Sequence, residues 1–386
     1  SHKHTKAAIM LSALLAVVTL WSIDLGPATN ATHVFLPTSA LARGVCNTDN
    51  KLCGDELSVF DWGGSDEPLM VPDYISKYPK KPRWSLFADS TEGLQKVKNG
   101  FQVDVAHITN SDIPFWKDYI TPWEIKKIKN WDNLYSFWKK IPGFEPINGK
   151  VYGIPTYFGI TTPIYDPDKV KASDLKSLKD FADPKYKGRV TMPDFTDEAY
   201  AFCMLAYGNK KPFSQMTKKD IDDCGPFLRA LHKNVRVYWT DSASVVGSFK
   251  TGELWLGFVW QDVPYTINQA RKNKSPILAA RDLGFAMWGQ AMSRLKTSKP
   301  EVDDLAYDFT NAMHSDRAAE FFVNEWSYGS ANKKAMEKIN PDIIKAHYLD
   351  GLEDYSKKGK SLMYGGWPNE LWLYAQPEWQ KIKSGQ

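Results

Sequence analysis

The chain has 386 residues, 43% of them hydrophobic and 24% charged, which is enough to bury a sizeable core and to divide into two lobes of ordinary domain size, and which excludes disorder. A formal net charge of +4, with lysines set in scattered pairs such as Lys80-Lys81, Lys126-Lys127 and Lys139-Lys140, excludes an electrostatic nucleic-acid binder. The excess is in tryptophan: 15 of them supply broad, rigid, weakly polar surface that suits a large core or a pocket that stacks on its ligand.

In chain order, Lys3 and Lys6 precede an uncharged apolar run over 7–23, and Ser39 to Ala42 offers a small-x-small cleavage pattern. Residues 1–42 therefore read as an export signal, or as a retained anchor because the spacer between run and cleavage site is long. Arg43 to Val45, ahead of Cys46, form no lipobox. A periplasmic location follows, and the four cysteines suit that oxidising compartment. They permit three connectivities; the local pairs Cys46 with Cys53 and Cys203 with Cys224 are the expected ones, and Cys203 also reads as a buried helix residue.

Next come a strand over 56–62, a helix over 66–78, a strand over 83–88, a helix over 92–100 with a glycine stop, and a strand over 103–109. Strands alternating with helices predict a parallel sheet. Residues 116–144 mix helix and loop signals around Pro122 and Pro142. A turn at Gly149 leads into an extended run to Gly159, and residues 183–194 read as a turn and a strand. A strand from Val235, a short helix ending at Gly252-Glu253 and a buried strand over 254–260 follow, the last delivering Trp260 and then polar residues at its C-terminal end, where ligands of α/β sheets sit.

Catalytic signatures are missing: there is no G-x-S-x-G, no H-E-x-x-H, no P-loop and no G-x-G-x-x-G after a strand. His107, His232, His314 and His347 are scattered and read as structural, and no C-x-x-C pair offers a metal site. The expectation is a binder without cofactor or metal.

Asp61-Trp62-Gly63-Gly64, residues 126–133, 149–159, 183–194 and 254–260, and Trp326 to Asn332 resemble, in order and spacing, the periplasmic solute-binding proteins of ABC importers, the spermidine/putrescine-binding family in particular. The resemblance begins near Gly54. It implies an α/β, two-lobed periplasmic binding protein fold (type II-like) with crossing hinge strands. Residues 43–159 would begin the first lobe, 160–285 form the second, and 286–386 return to the first, with C-terminal helices packing on both. The hinge would lie near 157–160 and 286–288. The implied partners are a small organic solute and an inner-membrane ABC permease, with the protein itself a monomer.

The resemblance also implies a site. Trp62 would wall the cleft, Thr109 and Ser111 would offer hydroxyls, and Tyr157 would face the cleft from the first crossing. Asp194 and Asp197 match a carboxylate pair that binds cationic groups, and Trp260, Trp288 and Tyr328 match ligand-facing aromatics. The plainer roles are a core tryptophan for Trp62, turn caps for Thr109 and Ser111, hinge packing for Tyr157, and helix capping for Asp194 and Asp197. The chain departs from the family twice: Gly289 or Gln290 stands where an aspartate is expected, and Trp367 falls near the place of a glutamine contact, where it would replace the glutamine as another ligand-binding wall of the cleft. An aromatic-rich cleft with fewer carboxylates suits a polyamine or another organic cation, such as a quaternary amine. The alternative is an anionic or zwitterionic solute bound through Arg189, Arg236, Arg281 or Arg294.

Overall fold

The computed structural model describes Cys46 and residues 52–386 except Asp89, Lys272 and Asn273. The leader or anchor expected over 1–42 lies outside the described residues. Strands β1 (Ser58–Trp62), β2 (Arg83–Phe87), β3 (Val105–Thr109), β4 (Ile120–Thr121), β5 (Ile154–Tyr165), β6 (Val190–Pro193), β7 (Val235–Trp239), β8 (Leu256–Trp260), β9 (Leu278–Ala279), β10 (Phe285–Leu295), β11 (Gly329–Ser330) and β12 (Ser361–Met363) alternate with helices. They hydrogen-bond in the order β2-β1-β3-β10-β5-β8-β6-β7, with β4 and β12 on β10 and with β9 and β11 on β5.

The parallel sheet expected from the alternation holds only within each half. β1 pairs parallel with β2 and β3, and β6 pairs parallel with β7 and β8. The two triplets are joined by β5 and β10, which run antiparallel to each other and to their outer neighbours β8 and β3. Both are nearly all buried. β5 pairs with β11 at Tyr157 and Phe158 and with β8 from Thr161 onward. The chain therefore changes partners between Phe158 and Thr161.

The helix expected over 66–78 is shorter. Pro68 opens a 3₁₀ turn, Pro68–Met70, and Pro72 opens a separate helix, Pro72–Lys77. Each proline lacks the N–H that would continue the preceding turn, so it begins a helix instead. Residues 116–144 fold as the short strand β4 and a series of 3₁₀ turns, three of them between Pro122 and Pro142. Disulfides link Cys46 to Cys53 and Cys203 to Cys224, the second tying the helix Thr196–Ala206 to Lys218–His232. One buried cluster runs unbroken from Leu57 and Val59 through Tyr157 and Trp288 to Met192 and Leu256, so the crossing strands share a core with both halves. Among the described residues, no helix is long and apolar enough to cross a membrane.

Candidate functional site

β1 and β3 end at Trp62 and Thr109, while β6 and β8 end at Pro193 and Trp260. Beyond these ends lies a cavity of about 560 Å³. One wall is the helix Ser90–Lys98 with the turn after β3, contributing Ser90, Gln95, Lys98, Ser111, Asp112, Phe115 and Trp116. The other is the turn after β6 at Asp194 and Phe195, the first residues of the helix that follows, Thr196 and Asp197, and then Trp367 and the C-terminal helix Asn369–Lys383, which presents Trp372, Gln376, Trp379 and Gln380.

Three carboxylates and one lysine make up the charged lining: Asp112, Asp194, Asp197 and Lys98. Asp112 accepts from the Ser90 hydroxyl, Asp194 pairs with Lys383, and Asp197 accepts from the Glu198 N–H at 2.9 Å. Six aromatic rings stand around them, those of Phe115, Trp116, Phe195, Trp367, Trp372 and Trp379. The balance is electronegative and aromatic.

Of the ten ligand-binding residues expected from the sequence, Thr109, Ser111, Asp194, Asp197 and Trp367 line this cavity. Asp194 is not a helix cap: Phe195 holds the N-cap position of Thr196–Ala206, without a side-chain cap. The other five lie behind the walls. Trp62 is 1% exposed and donates from Nε1 to Gln290 Oε1 at 3.2 Å, and Gln290 Nε2 donates to Thr109 Oγ1 at 2.8 Å. Trp62 therefore sits one side chain behind the cavity, and Gln290 uses its polar ends to brace it. Trp260 stacks behind Phe195 with ring centroids 6.2 Å apart and donates to Glu198 at 3.4 Å. Tyr157, Trp288 and Tyr328 pack together where the chain crosses, Tyr157 parallel to Tyr328 at 5.4 Å and Trp288 edge-on to it at 5.0 Å.

That crossing is tightly interlocked. Trp288 pairs with Gly159 across the strands and Phe158 pairs with Gly329, so each ring lies over a glycine. A Cβ on Gly159 would stand 2.2 Å from the Trp288 ring, and one on Gly329 would stand 2.3 Å from Phe158. The glycines are there for close approach.

A family model described as bacterial extracellular solute-binding protein matches residues 88–348, which contain both crossing strands, the first cavity wall and the part of the second wall at Asp194 to Asp197. The chain belongs to that family. It is 22% identical over 265 residues, 67% of its own length and 71% of the relative's, to the spermidine/putrescine-binding periplasmic protein of Escherichia coli (strain K12). Its fold is similar to that of the substrate-binding protein PotD of a spermidine/putrescine ABC transporter from Streptococcus pneumoniae, with a TM-score of 0.69 at 18% identity, covering 85% of this chain and 98% of that one. It is also similar to the binding protein MotA of A. tumefaciens in complex with glucopine, with a TM-score of 0.63 at 14% identity, covering 85% and 99%. These likenesses establish the two-lobed α/β periplasmic-binding fold.

Two parts of this solute-binding protein escape a residue-by-residue reading. The first is Glu198, buried next to Asp197, whose Oε1 takes contacts from Trp260 Nε1 and from Thr161 Oγ1 at 3.3 Å. Burial, then the Glu198 and Asp197 carboxylates, pushes the Tyr364 hydroxyl well above its ordinary range, so it remains protonated beside Glu198. The second is the C-terminal helix. Trp372, Gln376, Trp379 and Lys383 recur at steps of four, three and four, the stripe of one helix face. That periodicity was the available signal.

Proposed function

We propose that the protein is the extracytoplasmic solute-binding component of an ABC importer, capturing an organic cation between its lobes in the periplasm and presenting it to an inner-membrane permease. The observation that carries the ligand class is the lining of the cavity: six aromatic rings and three carboxylates against one lysine. Ring faces attract a desolvated cation by about 1–2 kcal/mol each. A few such faces and one or two carboxylates, less the cost of ordering both partners, lead to roughly micromolar affinity. We assign the first lobe to residues 43–159 and 286–386 and the second to 160–285, with the hinge at the partner change of β5 and β10. Because both walls contact the solute, it binds the closed arrangement better than the open one, and that difference drives closure. We assign no catalytic step to the cavity.

A zwitterion is the second reading, and two indoles favour it. Trp367 Nε1 and Trp379 Nε1 are buried at the cavity wall with no acceptor among the described residues. Oxygens on the solute would accept from them, with Lys98 on the facing wall.

The test is titration calorimetry against a length-matched set: butyltrimethylammonium, butylamine, 4-aminobutyrate and butanoate. The cations should bind and butanoate should not. Trp367→Ala should lose about fivefold to thirtyfold in cation affinity, and Asp197→Asn should also weaken it. Tight butanoate binding, unchanged in both variants, would overturn the cation reading and leave the family assignment intact.

A further inference from the structure

The carboxylate that the sequence offers to a cationic ligand already holds one of the chain's own cations. Lys383, in the last turn of Asn369–Lys383, sets its ammonium on Asp194 and 5.6 Å from the centre of the Trp379 ring. Its side chain is 16% exposed, and that of Asp194 is 32% exposed. Asp194 and Trp379 both line the cavity, whereas Lys383 does not; its ammonium enters the seat from behind the wall. A carboxylate beside an indole face is the arrangement a ligand ammonium would use, and here an internal ammonium fills it.

The consequence is a count of charges. The lining alone carries three carboxylates and one lysine, a net charge of −2 that would match a solute with two cationic centres. With Lys383 on Asp194, the net charge falls to −1. Asp112 accepts from Ser90 on the first wall, which also carries Lys98, and Asp197 stands on the second without a lysine or arginine ion-pair partner among the described residues. We propose that Lys383 sets the specificity of the site for a solute with one cationic centre, by occupying the seat that the second amine of a diamine or polyamine would take. This rests on the organic-cation reading and deepens it, because it separates quaternary or single amines from the polyamines named for the E. coli and S. pneumoniae relatives.

The placement of Lys383 fits that role physically. An ammonium close to a second cation in a partly desolvated cleft raises the cost of that second charge, and at separations of a few ångströms the effect reaches tenfold or more in affinity. A tethered lysine applies this cost to a dication and spares a monocation seated elsewhere in the aromatic wall. It excludes the larger charge without closing the cavity.

The experiment compares the full chain with Lys383→Met and Lys383→Arg, titrating each with butyltrimethylammonium, 1,4-diaminobutane and spermidine, and following thermal unfolding of each variant to establish that it folds. The unaltered chain should favour the single-centre ligand. Lys383→Met should raise the affinity for the diamine by about tenfold relative to butyltrimethylammonium, and Lys383→Arg should keep the original preference. If Lys383→Met leaves that ratio unchanged, or if the unaltered chain already prefers the diamine, Lys383 is only a tie between the C-terminal helix and β6, and the inference fails while the cation reading stands. If none of the three cations binds any variant, both fall together.

Discussion

Lowering the pH from 7 to 4 should cost the fold about 3 kcal/mol through one side chain, His314. Its ring is fully buried and its Nε2 donates to the Pro155 carbonyl at 2.7 Å, at the start of the first crossing strand. Burial pushes its pKa down from 6.5 to about 4, with the Pro155 bond opposing in part. The native imidazole therefore stays neutral through a range where the unfolded chain takes up a proton. More protons bound by the unfolded state means that stability rises with pH, so this contribution is complete above about 6.5 and is lost as pH falls toward 4. The gap between the two values corresponds to about 3 kcal/mol. His314→Gln keeps a donor for Pro155 and removes the titration. Urea unfolding of both proteins at pH 7 and pH 4.5 is the check: the stability lost between the two pH values should be smaller in the variant by about 2–3 kcal/mol. Equal losses would mean that His314 does not titrate in this way.

Gly159→Ala should severely disrupt the molecule's crossing. The added Cβ would lie 2.2, 2.6 and 2.9 Å from Cζ2, Cη2 and Cε2 of Trp288, a ring with no exposure and with Tyr328 edge-on against it. Gly159 is held in the ladder between β5 and β10, so the clash cannot be relieved by a local backbone shift without breaking pairs on both sides. Overpacking of this kind costs about 3 kcal/mol. Because the clash is with one ring, Trp288→Phe in the same chain should recover part of the loss, and the cycle of single and double variants isolates the pair. A Gly159→Ala protein as stable as the parent, or no coupling to Trp288, would show that the crossing is looser than its packing indicates.

Much of the sheet is legible locally. β1, β2, β3 and β8 come from apolar runs bounded by glycine and polar turns, and the starts expected for them differ from the structure by only a few residues. The antiparallel joins are not legible, because they depend on β5 meeting β10 across more than a hundred intervening residues, and alternation of strands and helices carries no information about that. The site divides in the same way. Thr109, Ser111, Asp194 and Trp367 stand at strand ends or turns and Asp197 in the first turn of a helix, where a position in sequence is nearly a position in space. Trp62 and Trp260 also stand at strand ends, yet Gln290 and Phe195 come between them and the cavity. No local pattern around either tryptophan encodes those interposed side chains. The wall formed by Trp372, Gln376 and Trp379 is written in a helical stripe at the far end of the chain, and only the fold brings that stripe over the end of β6.

The central claim is that one organic cation is held between the two walls of the cavity. A crystal structure of the protein with butyltrimethylammonium tests it most directly. The account predicts the onium group within about 6 Å of at least two of the lining rings, with contacts to Ser111, Phe115 or Trp116 on one wall and to Asp197 or Trp367 on the other. A cation bound outside this cavity, or touching one wall alone, would contradict it.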